Sequence, residues 1–362
     1  MKILFTFYVP SGGIDTLNRQ RCQVLKQVGI EGHLLYTTPG SVIRNPTSIP
    51  MYTTSFDEDI SQLIRTHRYQ LIIVSSDYLM LERLRRLGYR GPILYEAQGL
   101  GHISLAEQTV KEAAPYLRQY AAGVHLPKTA HLIQLFRKYC PWLPQYSFPN
   151  VVNTDTIHYK YNPPVPNPII AWVGRLEANK NWKHFLEIGY WMHYYMPNVR
   201  LWMFYDSTIY TEEDRQQFEP FIQKLNLQNI LTIRDRVPHA HMSDYYSMIG
   251  DSGGFLLSTS QAEGFGYAVA EAMSCRCPVL STDSDGVRAF ITHNITGKFY
   301  PFGYIEQAVQ EGRSLISDQA LRASIREQGV YHIKNQFSPS KYQADFLNMV
   351  NQVLVLTHNK RK

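Results

Sequence analysis

The chain has 362 residues, a hydrophobic content of 44% and a formal net charge of +6. This length and composition suggest two α/β domains with separate cores. The charge is modest and no Lys/Arg run of nucleic-acid type is present, which argues against a nucleic-acid-binding protein. No segment reaches ~18 uninterrupted apolar residues, so no membrane-spanning helix is predicted. Four cysteines do not make a disulfide framework, and a cytoplasmic protein is expected.

Short β-rich runs alternate with helical periodicity in the first half of the chain. Helices are predicted at Thr16–Val28 and Leu79–Leu87, and each is stopped by a glycine. The strand segments are rich in Val, Ile, Leu and Tyr without clean alternation, as in strands covered on both faces. The pattern predicts a parallel, doubly wound sheet. The predicted strands are Ile3–Phe7, His33–Tyr36, Leu71–Val74, Ile93–Tyr95 and Gly123–Leu126.

A proline-rich segment, residues 163–168, interrupts this pattern and predicts a stiff linker. A second α/β set follows it, and a closing amphipathic helix is predicted from Ser338 to about Leu356. We therefore expect one domain at residues 1–160 and another at 161–337, with residues 338–362 packing back on the first. The strands predicted in the second set are Ile169–Val173, Leu201–Tyr205, Ile230–Ile233, Phe255–Ser258 and Pro278–Ser281.

Two loops at predicted strand ends could meet a phosphate. Gly12 and Gly13 follow the first strand, where glycines let the backbone approach a ligand; an ordinary strand-to-helix turn is an equal alternative. They do not form the Gly-x-Gly-x-x-Gly dinucleotide fingerprint. In the second set, Arg175 and Lys180 follow a strand that ends at Gly174. Such cations suit a diphosphate, although solvated loop cations are the alternative.

A third loop holds Glu263 between a strand and a predicted helix, Tyr267 to Ser274. Gly264 and Gly266 leave backbone N–H groups accessible at the start of that helix. The helix is apolar on nearly every side except at Glu271, and a carboxylate there must be paired or bound to a ligand. Sugar and ribose hydroxyls are suitable partners.

The two glutamates lie eight positions apart with Gly-Phe-Gly between them, and this segment resembles the Glu-x7-Glu signature of family 4 glycosyltransferases. These are retaining enzymes of GT-B fold, in which two Rossmann-like domains face each other across a cleft. The Gly-Gly loop, Pro149–Asn153, the stretch from Gly174 to Lys180 and Ser284–Val287 occur in the order of that family. The resemblance spans almost the whole chain and is strongest in its second half.

The resemblance implies a role for each matching residue. Arg175 and Lys180 would bind the donor diphosphate, with Gly12 and Gly13 bringing the first domain's backbone against the phosphates. The remaining implied donor contacts are Glu263 with Gly264 and the N–H groups of Phe265 and Gly266 for the sugar, Glu271 for the ribose, and the main chain at Arg236-Val237 for the base.

One position departs from the family. Many relatives have a histidine where Gln98 stands, and Gln98 can keep a hydrogen bond but cannot exchange a proton near neutral pH. Gln98 is therefore the predicted polar helper of the reaction together with Glu263, Arg175 and Lys180. His102 is an alternative helper. A metal site at His239 and His241 is disfavoured, and no metal or cofactor is expected.

The sequence thus predicts a metal-independent retaining glycosyltransferase of hexosyltransferase type, with a UDP- or GDP-linked sugar as donor. The expected acceptor is a glycan, a lipid-linked molecule or a small molecule, in the synthesis of a bacterial glycan, glycolipid or cell-surface polysaccharide. Aromatic and cationic residues at 135–143 and in the basic tail suggest peripheral contact with the inner face of a membrane. The alternative is a non-catalytic accessory subunit of this fold.

Overall fold

The computed structural model describes residues 1–39, 48–100, 103–163 and 165–359. These residues form two compact units, each built around its own parallel sheet. The first unit contains the described residues up to Asn153 and those from Phe337 onward, and the second contains those from Thr154 to Gln336. The predicted α/β fold class is confirmed.

The sheet of the first unit has the strand order β3-β2-β1-β4-β5-β6-β7 among its described strands, and every neighbouring pair is parallel. The strands are β1 (Lys2–Phe7), β2 (Glu31–Tyr36), β3 (Met51–Thr53), β4 (Leu71–Ser75), β5 (Ile93–Glu96), β6 (Gly123–Leu126) and β7 (Gln145–Ser147). The helices that precede the second unit are α1 (Gly12–Lys26), α2 (Asp57–His67), α3 (Tyr78–Arg86), α4 (Ile103–Tyr120) and α5 (Ala130–Tyr139).

The second unit repeats this order, with β10-β9-β8-β11-β12-β13 as its parallel sheet. Its strands are β8 (Ile169–Val173), β9 (Arg200–Tyr205), β10 (Leu231–Asp235), β11 (Phe255–Ser258), β12 (Val279–Thr282) and β13 (Lys298–Tyr300). Its helices are α6 (Trp182–Tyr195), α7 (Glu212–Lys224), α8 (Met242–Asp251), α9 (Tyr267–Ser274), α10 (Ile305–Ser317) and α11 (Gln319–Gln336), with 3₁₀ turns at Ala178–Lys180, His239–His241 and Val287–Ala289.

The last helix, α12 (Pro339–Asn359), belongs to the first unit. Its Tyr342 ring lies 5.7 Å from the ring of Phe148, its Phe346 ring lies 6.3 Å from that of Phe5, and its Gln343 donates to the Val24 carbonyl at 2.9 Å. The units divide after Asn153, ahead of the proline-rich segment that suggested a linker; Pro164 of that segment lies outside the described residues.

Both strand orders place a topological switch point beside the first strand of the unit. In the second unit, β8 lies between β9 and β11, and the chain leaves it in one direction and later returns on the other side. Ligands of open α/β sheets bind at such a point, outside the carboxyl ends of the strands. The loops after β8 and β11 therefore hold the best-placed candidate residues. Among the described residues, no helix is both long and apolar enough to cross a membrane.

Candidate active site

Lys180 and Glu263 meet at the switch point of the second unit. Lys180 ends the 3₁₀ turn after β8, and Glu263 lies in the loop after β11. The Lys180 Nζ is 2.5 Å from the Glu263 Oε1, and the Ser260 hydroxyl donates to the same oxygen at 2.7 Å. The two charged side chains are 20% and 13% exposed. They are thus held in place by the protein yet remain accessible to a ligand.

A buried threonine holds the backbone that carries Lys180. Thr259 is fully buried at the end of β11, where its hydroxyl oxygen accepts a hydrogen bond from the Trp172 indole at 3.0 Å and its hydroxyl donates to the Lys180 carbonyl at 2.8 Å. Trp172 belongs to β8, so these bonds connect the carboxyl ends of both strands. The backbone that carries Lys180 is therefore positioned by the core, and only the end of its side chain is left to adjust.

The two loops are also joined along their length. The Asn179 amide donates to the Ala262 carbonyl at 3.1 Å and accepts from the Ala262 N–H at 3.2 Å. The Gln261 N–H donates to the Asn179 carbonyl at 2.8 Å. Hydrogen bonds of this kind satisfy loop backbone groups that a strand ladder no longer serves. The distance between Lys180 and Glu263 is consequently set by the main chain as well as by their own attraction.

A third loop, after β12, packs against the Glu263 backbone. The Gly286 N–H donates to the Glu263 carbonyl at 3.1 Å. A Cβ at position 286 would lie 2.3 Å from that carbonyl oxygen, so only glycine allows the approach. The Ser284–Val287 segment, which matched the family in sequence order, thus has a structural reason to contain glycine at this position.

Arg175 pairs with an acidic neighbour in the same loop. Its Nη2 lies 2.9 Å from the Glu177 Oε1, and the two side chains are 41% and 24% exposed. Sequence reasoning named Arg175 as a diphosphate ligand but gave Glu177 no role. The Arg-x-Glu spacing was the signal that could have revealed this pair.

Glu271 lies on α9 and is almost completely buried, with 3% of its surface exposed. Its Oε1 is 2.8 Å from the Nε2 of His239, whose side chain is 33% exposed. The sequence predicted that this carboxylate needs a partner but considered His239 only as a metal ligand. No cluster of three or more His, Cys, Asp or Glu residues suited to a metal occurs in the described part of the chain.

The glycines around Glu263 shape the start of α9. Gly266 caps that helix with a φ of +86°, in the left-handed region that favours glycine. Phe265 is buried, with its ring 4.7 Å from those of both Tyr267 and Phe290. The predicted segment from Gly264 to Gly266 is therefore a turn that is anchored by an aromatic side chain and leads into α9.

Val237 is half-buried just after β10. The preceding residue, Arg236, adopts a φ of +48°, and its N–H donates to the Tyr205 carbonyl at 2.9 Å. The main chain therefore turns sharply between β10 and the His239–His241 turn. The same short connection carries Val237, predicted near the base, and His239, which binds Glu271.

The other predicted residues belong to the first unit. Gly12 and Gly13 form the first turn of α1, so the predicted loop is a helix N-terminus whose first N–H groups have no intrahelical acceptor. Gln98 is buried and makes a reciprocal pair with Asn150, in which each amide donates to the other at 2.9 Å. His102, the alternative helper, lies outside the described residues.

Comparisons with known proteins agree with this architecture. Residues 153–330 match the family model described as glycosyl transferases group 1. A capsular polysaccharide biosynthesis glycosyltransferase, CapM of Staphylococcus aureus, is 25% identical over 201 residues, which are 54% of this chain and 48% of the relative. The chain thus spans about half the length of this curated relative.

Solved structures resemble nearly the whole chain. The sucrose-phosphate synthase of Thermosynechococcus elongatus has a TM-score of 0.81 at 17% identity, covering 98% of this chain and 99% of its own. HepE of Anabaena, solved in complex with UDP-glucose, has a TM-score of 0.78 at 16% identity, covering 97% and 100%. At these identities the likeness establishes the fold. The chain therefore has the GT-B fold, and its residues 153–330 are similar to the glycosyl transferases group 1 family.

Proposed function

We propose that this protein is a retaining glycosyltransferase that moves a sugar from a nucleoside diphosphate to an acceptor hydroxyl. The observation that carries the proposal is the Lys180–Glu263 pair, where a cation and a carboxylate from neighbouring loops meet 2.5 Å apart at the switch point of the second unit. A cation suits the leaving diphosphate, and a carboxylate accepts hydrogen bonds from sugar hydroxyls. A nucleotide sugar contains both a diphosphate and sugar hydroxyls, so its binding site needs a group of each kind.

In the reaction, the bond between the anomeric carbon and the diphosphate oxygen breaks and a bond to the acceptor oxygen forms. The acceptor hydroxyl loses its proton, and the diphosphate leaves with its negative charge. Lys180 and Arg175 would stabilise that charge, supported by the N-terminus of α9, whose first N–H groups carry partial positive charge. Two cations and a helix N-terminus are the reason for proposing a reaction without a metal.

Glu263 is suited to binding the sugar. Lys180 and Ser260 both donate hydrogen bonds to its Oε1. An oxygen that already accepts two hydrogen bonds is a weaker nucleophile. The proposed role is therefore to accept hydrogen bonds from hydroxyls of the transferred sugar, together with the N–H groups of Phe265 and Gly266 and the turn at Gly264. No covalent intermediate on Glu263 is part of the proposal.

The nucleotide would occupy the side of the site nearer β10. Glu271 is proposed to bind the ribose hydroxyls and the main chain at Val237 to contact the base. A UDP-linked sugar is the first candidate, because HepE, which has the same fold, was solved with UDP-glucose. Gly12, Gly13 and Gln98, in the first unit, are proposed to contribute phosphate contacts and a polar group near the reacting centre.

The acceptor is proposed to be a glycan, lipid-linked or small molecule in bacterial cell-surface or glycolipid synthesis. The names of similar proteins support this class: one is the capsular polysaccharide enzyme CapM, and another, from Bacillus subtilis, is a poly(glycerol-phosphate) alpha-glucosyltransferase. The proposal places the protein in the cytoplasm at the inner face of the membrane. The exposed Trp142, with the Arg118 guanidinium 3.9 Å from its ring centre, is a group suited to lipid headgroups.

A non-catalytic accessory subunit is the second candidate. The observation that favours it is the reciprocal amide pair of Gln98 and Asn150, because a side chain that satisfies another buried amide is less available to a substrate. The Lys180–Glu263 pair favours the enzyme instead. The two candidates differ in turnover, which the following experiment measures.

The test is release of nucleoside diphosphate from UDP-glucose, UDP-N-acetylglucosamine and GDP-mannose, with and without candidate acceptors. We expect Lys180→Ala to lower the rate about 10²–10³-fold, the usual effect of losing a group that stabilises transition-state charge, and Glu263→Ala to lower it as well. Lys183→Ala is the matched control: this lysine, three residues from Lys180, binds Gln217, and its loss should leave the rate within about twofold, the range of a surface substitution.

Near wild-type rates in both Lys180→Ala and Glu263→Ala would reject the site. A wild-type protein that binds a nucleotide sugar without turning it over, even with acceptors present, would favour the accessory subunit. Loss of activity in Lys183→Ala equal to that in Lys180→Ala would show that the assay reports loss of positive charge in general.

A further inference from the structure

We propose that His239 is a nucleotide-binding residue that holds the Glu271 carboxylate in place for the ribose. This inference rests on the proposed function, and it assigns a specific residue to donor recognition. Its basis is the 2.8 Å contact between the His239 Nε2 and the Glu271 Oε1, which joins the turn after β10 to α9. The two residues are 32 positions apart in the sequence.

The chemistry of the contact fixes which atom donates. The imidazole nitrogen must supply the proton, because an ionised carboxylate can only accept hydrogen bonds. Glu271 is the one charged residue of α9, and it is 3% exposed. Burying such a group without a hydrogen-bond donor would be costly. His239 therefore supplies a hydrogen-bond donor to this buried carboxylate and limits the directions in which it can point.

His239 lies on the solvent side of the pair, and Glu271 lies beneath it. The His239 side chain is 33% exposed, whereas that of Glu271 is 4% exposed. A ribose hydroxyl that reaches the Glu271 carboxylate therefore also lies beside the imidazole ring. His239 is two residues from Val237, in the connection proposed to contact the base. The ring is thus placed where the ribose and the base of one nucleotide would meet.

The chain provides a matched control in the same turn. His241 ends the 3₁₀ turn that His239 begins, and it is exposed to solvent. The contact with Glu271 is made by His239. Substituting either residue removes one imidazole from the same short segment. A difference between the two variants therefore reports the contact with Glu271 rather than a change in the turn or in the charge of the region.

The experiment compares UDP with 2′,3′-dideoxy-UDP, using GDP and its dideoxy analogue if UDP does not bind, by calorimetry. A hydrogen bond to a charged group is worth enough to change affinity about tenfold or more, so the wild-type protein should prefer the nucleotide with both hydroxyls by at least about tenfold. In His239→Ala, we expect weaker binding of UDP and a ribose preference reduced to about threefold or less. His239→Gln, which keeps an N–H donor, should recover part of the preference, and His241→Ala should match the wild type.

A purely structural role would affect both nucleotides equally. If His239→Ala weakens both by the same factor, or changes neither, the inference is wrong while the proposed function stands. If His241→Ala loses the ribose preference as His239→Ala does, the assignment to the Glu271 contact is also wrong. A wild-type protein that binds neither nucleoside diphosphate would reject the proposed donor site itself.

Discussion

Each unit contains a carboxylate paired with a cation near the carboxyl end of a strand, but the two pairs differ in burial. In the first unit, Arg21 Nη1 lies 2.7 Å from Glu96 Oε1, and the two side chains are 0% and 1% exposed. In the second, Lys180 lies 2.5 Å from Glu263, with exposures of 20% and 13%. The chemistry is the same in both. The difference in exposure separates a group that supports the fold from one that can receive a ligand.

The partners of Glu96 support this distinction. Its Oε1 also contacts the His125 Nδ1 at 3.0 Å, and its Oε2 accepts from the Ser75 hydroxyl at 2.6 Å. Burial by itself would raise the pKa of Glu96, but the Arg21 guanidinium and the hydrogen bond from His125 hold that pKa below its usual range. Both oxygens of the carboxylate are thus occupied by protein donors, and no surface is left for substrate. Burial of this kind makes the pair costly to break.

The largest effect is therefore expected from Glu96→Gln. Removing one charge leaves Arg21 buried without its counter-ion, and the free energy of unfolding should fall by about 3–5 kcal/mol. Urea unfolding measures the loss, and hydrogen exchange of peptides from α1 and β5 locates it in the first unit. Since the pKa of Glu96 is lowered on folding, its stabilisation is complete above the unfolded pKa of about 4.3 and is lost as the pH falls further.

The corresponding substitution in the second unit should have a much smaller effect on stability. Lys180→Met should alter the free energy of unfolding by no more than about 1 kcal/mol, because partly exposed ion pairs contribute little. Equal losses of stability in Lys180→Met and Glu96→Gln would contradict the division by burial. Replacing both Arg21 and Glu96 with apolar residues should restore much of the stability that Glu96→Gln loses, since the uncompensated charge is then absent.

The Gln98–Asn150 pair lies between these two cases, being buried but uncharged. Gln98→Ala leaves the Asn150 amide without this partner, which should cost about 1–3 kcal/mol of unfolding free energy. Asn150→Ala should cost a similar amount, and the double variant should lose less than the sum of the two, because the interaction is shared. Strict additivity in urea unfolding would mean that the amide pair does not contribute to stability.

The central strands and the edge strand β10 could be predicted from the sequence, whereas the three shortest edge strands could not. Each predicted segment overlaps a strand of the structure, and most of these strands lie inside a parallel sheet, where burial on both faces gives a continuous apolar run, as in β4. Three strands were missed: β3, β7 and β13, of three residues each. Each lies at or next to the end of a sheet and is too short to show such a run.

The candidate site divides in a similar way. Each of the loops that contain Lys180 and Glu263 could be recognised because the residues of one loop are contiguous in sequence. The side-chain pairs could not be recognised, because Lys180 and Glu263 are 83 positions apart and Gln98 and Asn150 are 52 apart. One sequence contains no information about which distant side chains face each other. The roles assigned to these residues stay predictions until the variants are measured.

The smallest effect is expected at Arg175 and Glu177, a pair that is more exposed than Lys180 and Glu263. If Glu177 competes with the donor diphosphate for Arg175, Glu177→Gln should tighten UDP binding by about two- to threefold, within the value of less than about 1 kcal/mol typical of exposed pairs. The gain should be present at low ionic strength and absent in about 0.5 M salt, where exposed charges are screened. Calorimetry at both salt concentrations measures it. Glu187→Gln, on α6, changes the net charge equally and should leave the affinity unchanged; an equal gain there would assign the effect to overall charge rather than to the Arg175 pair.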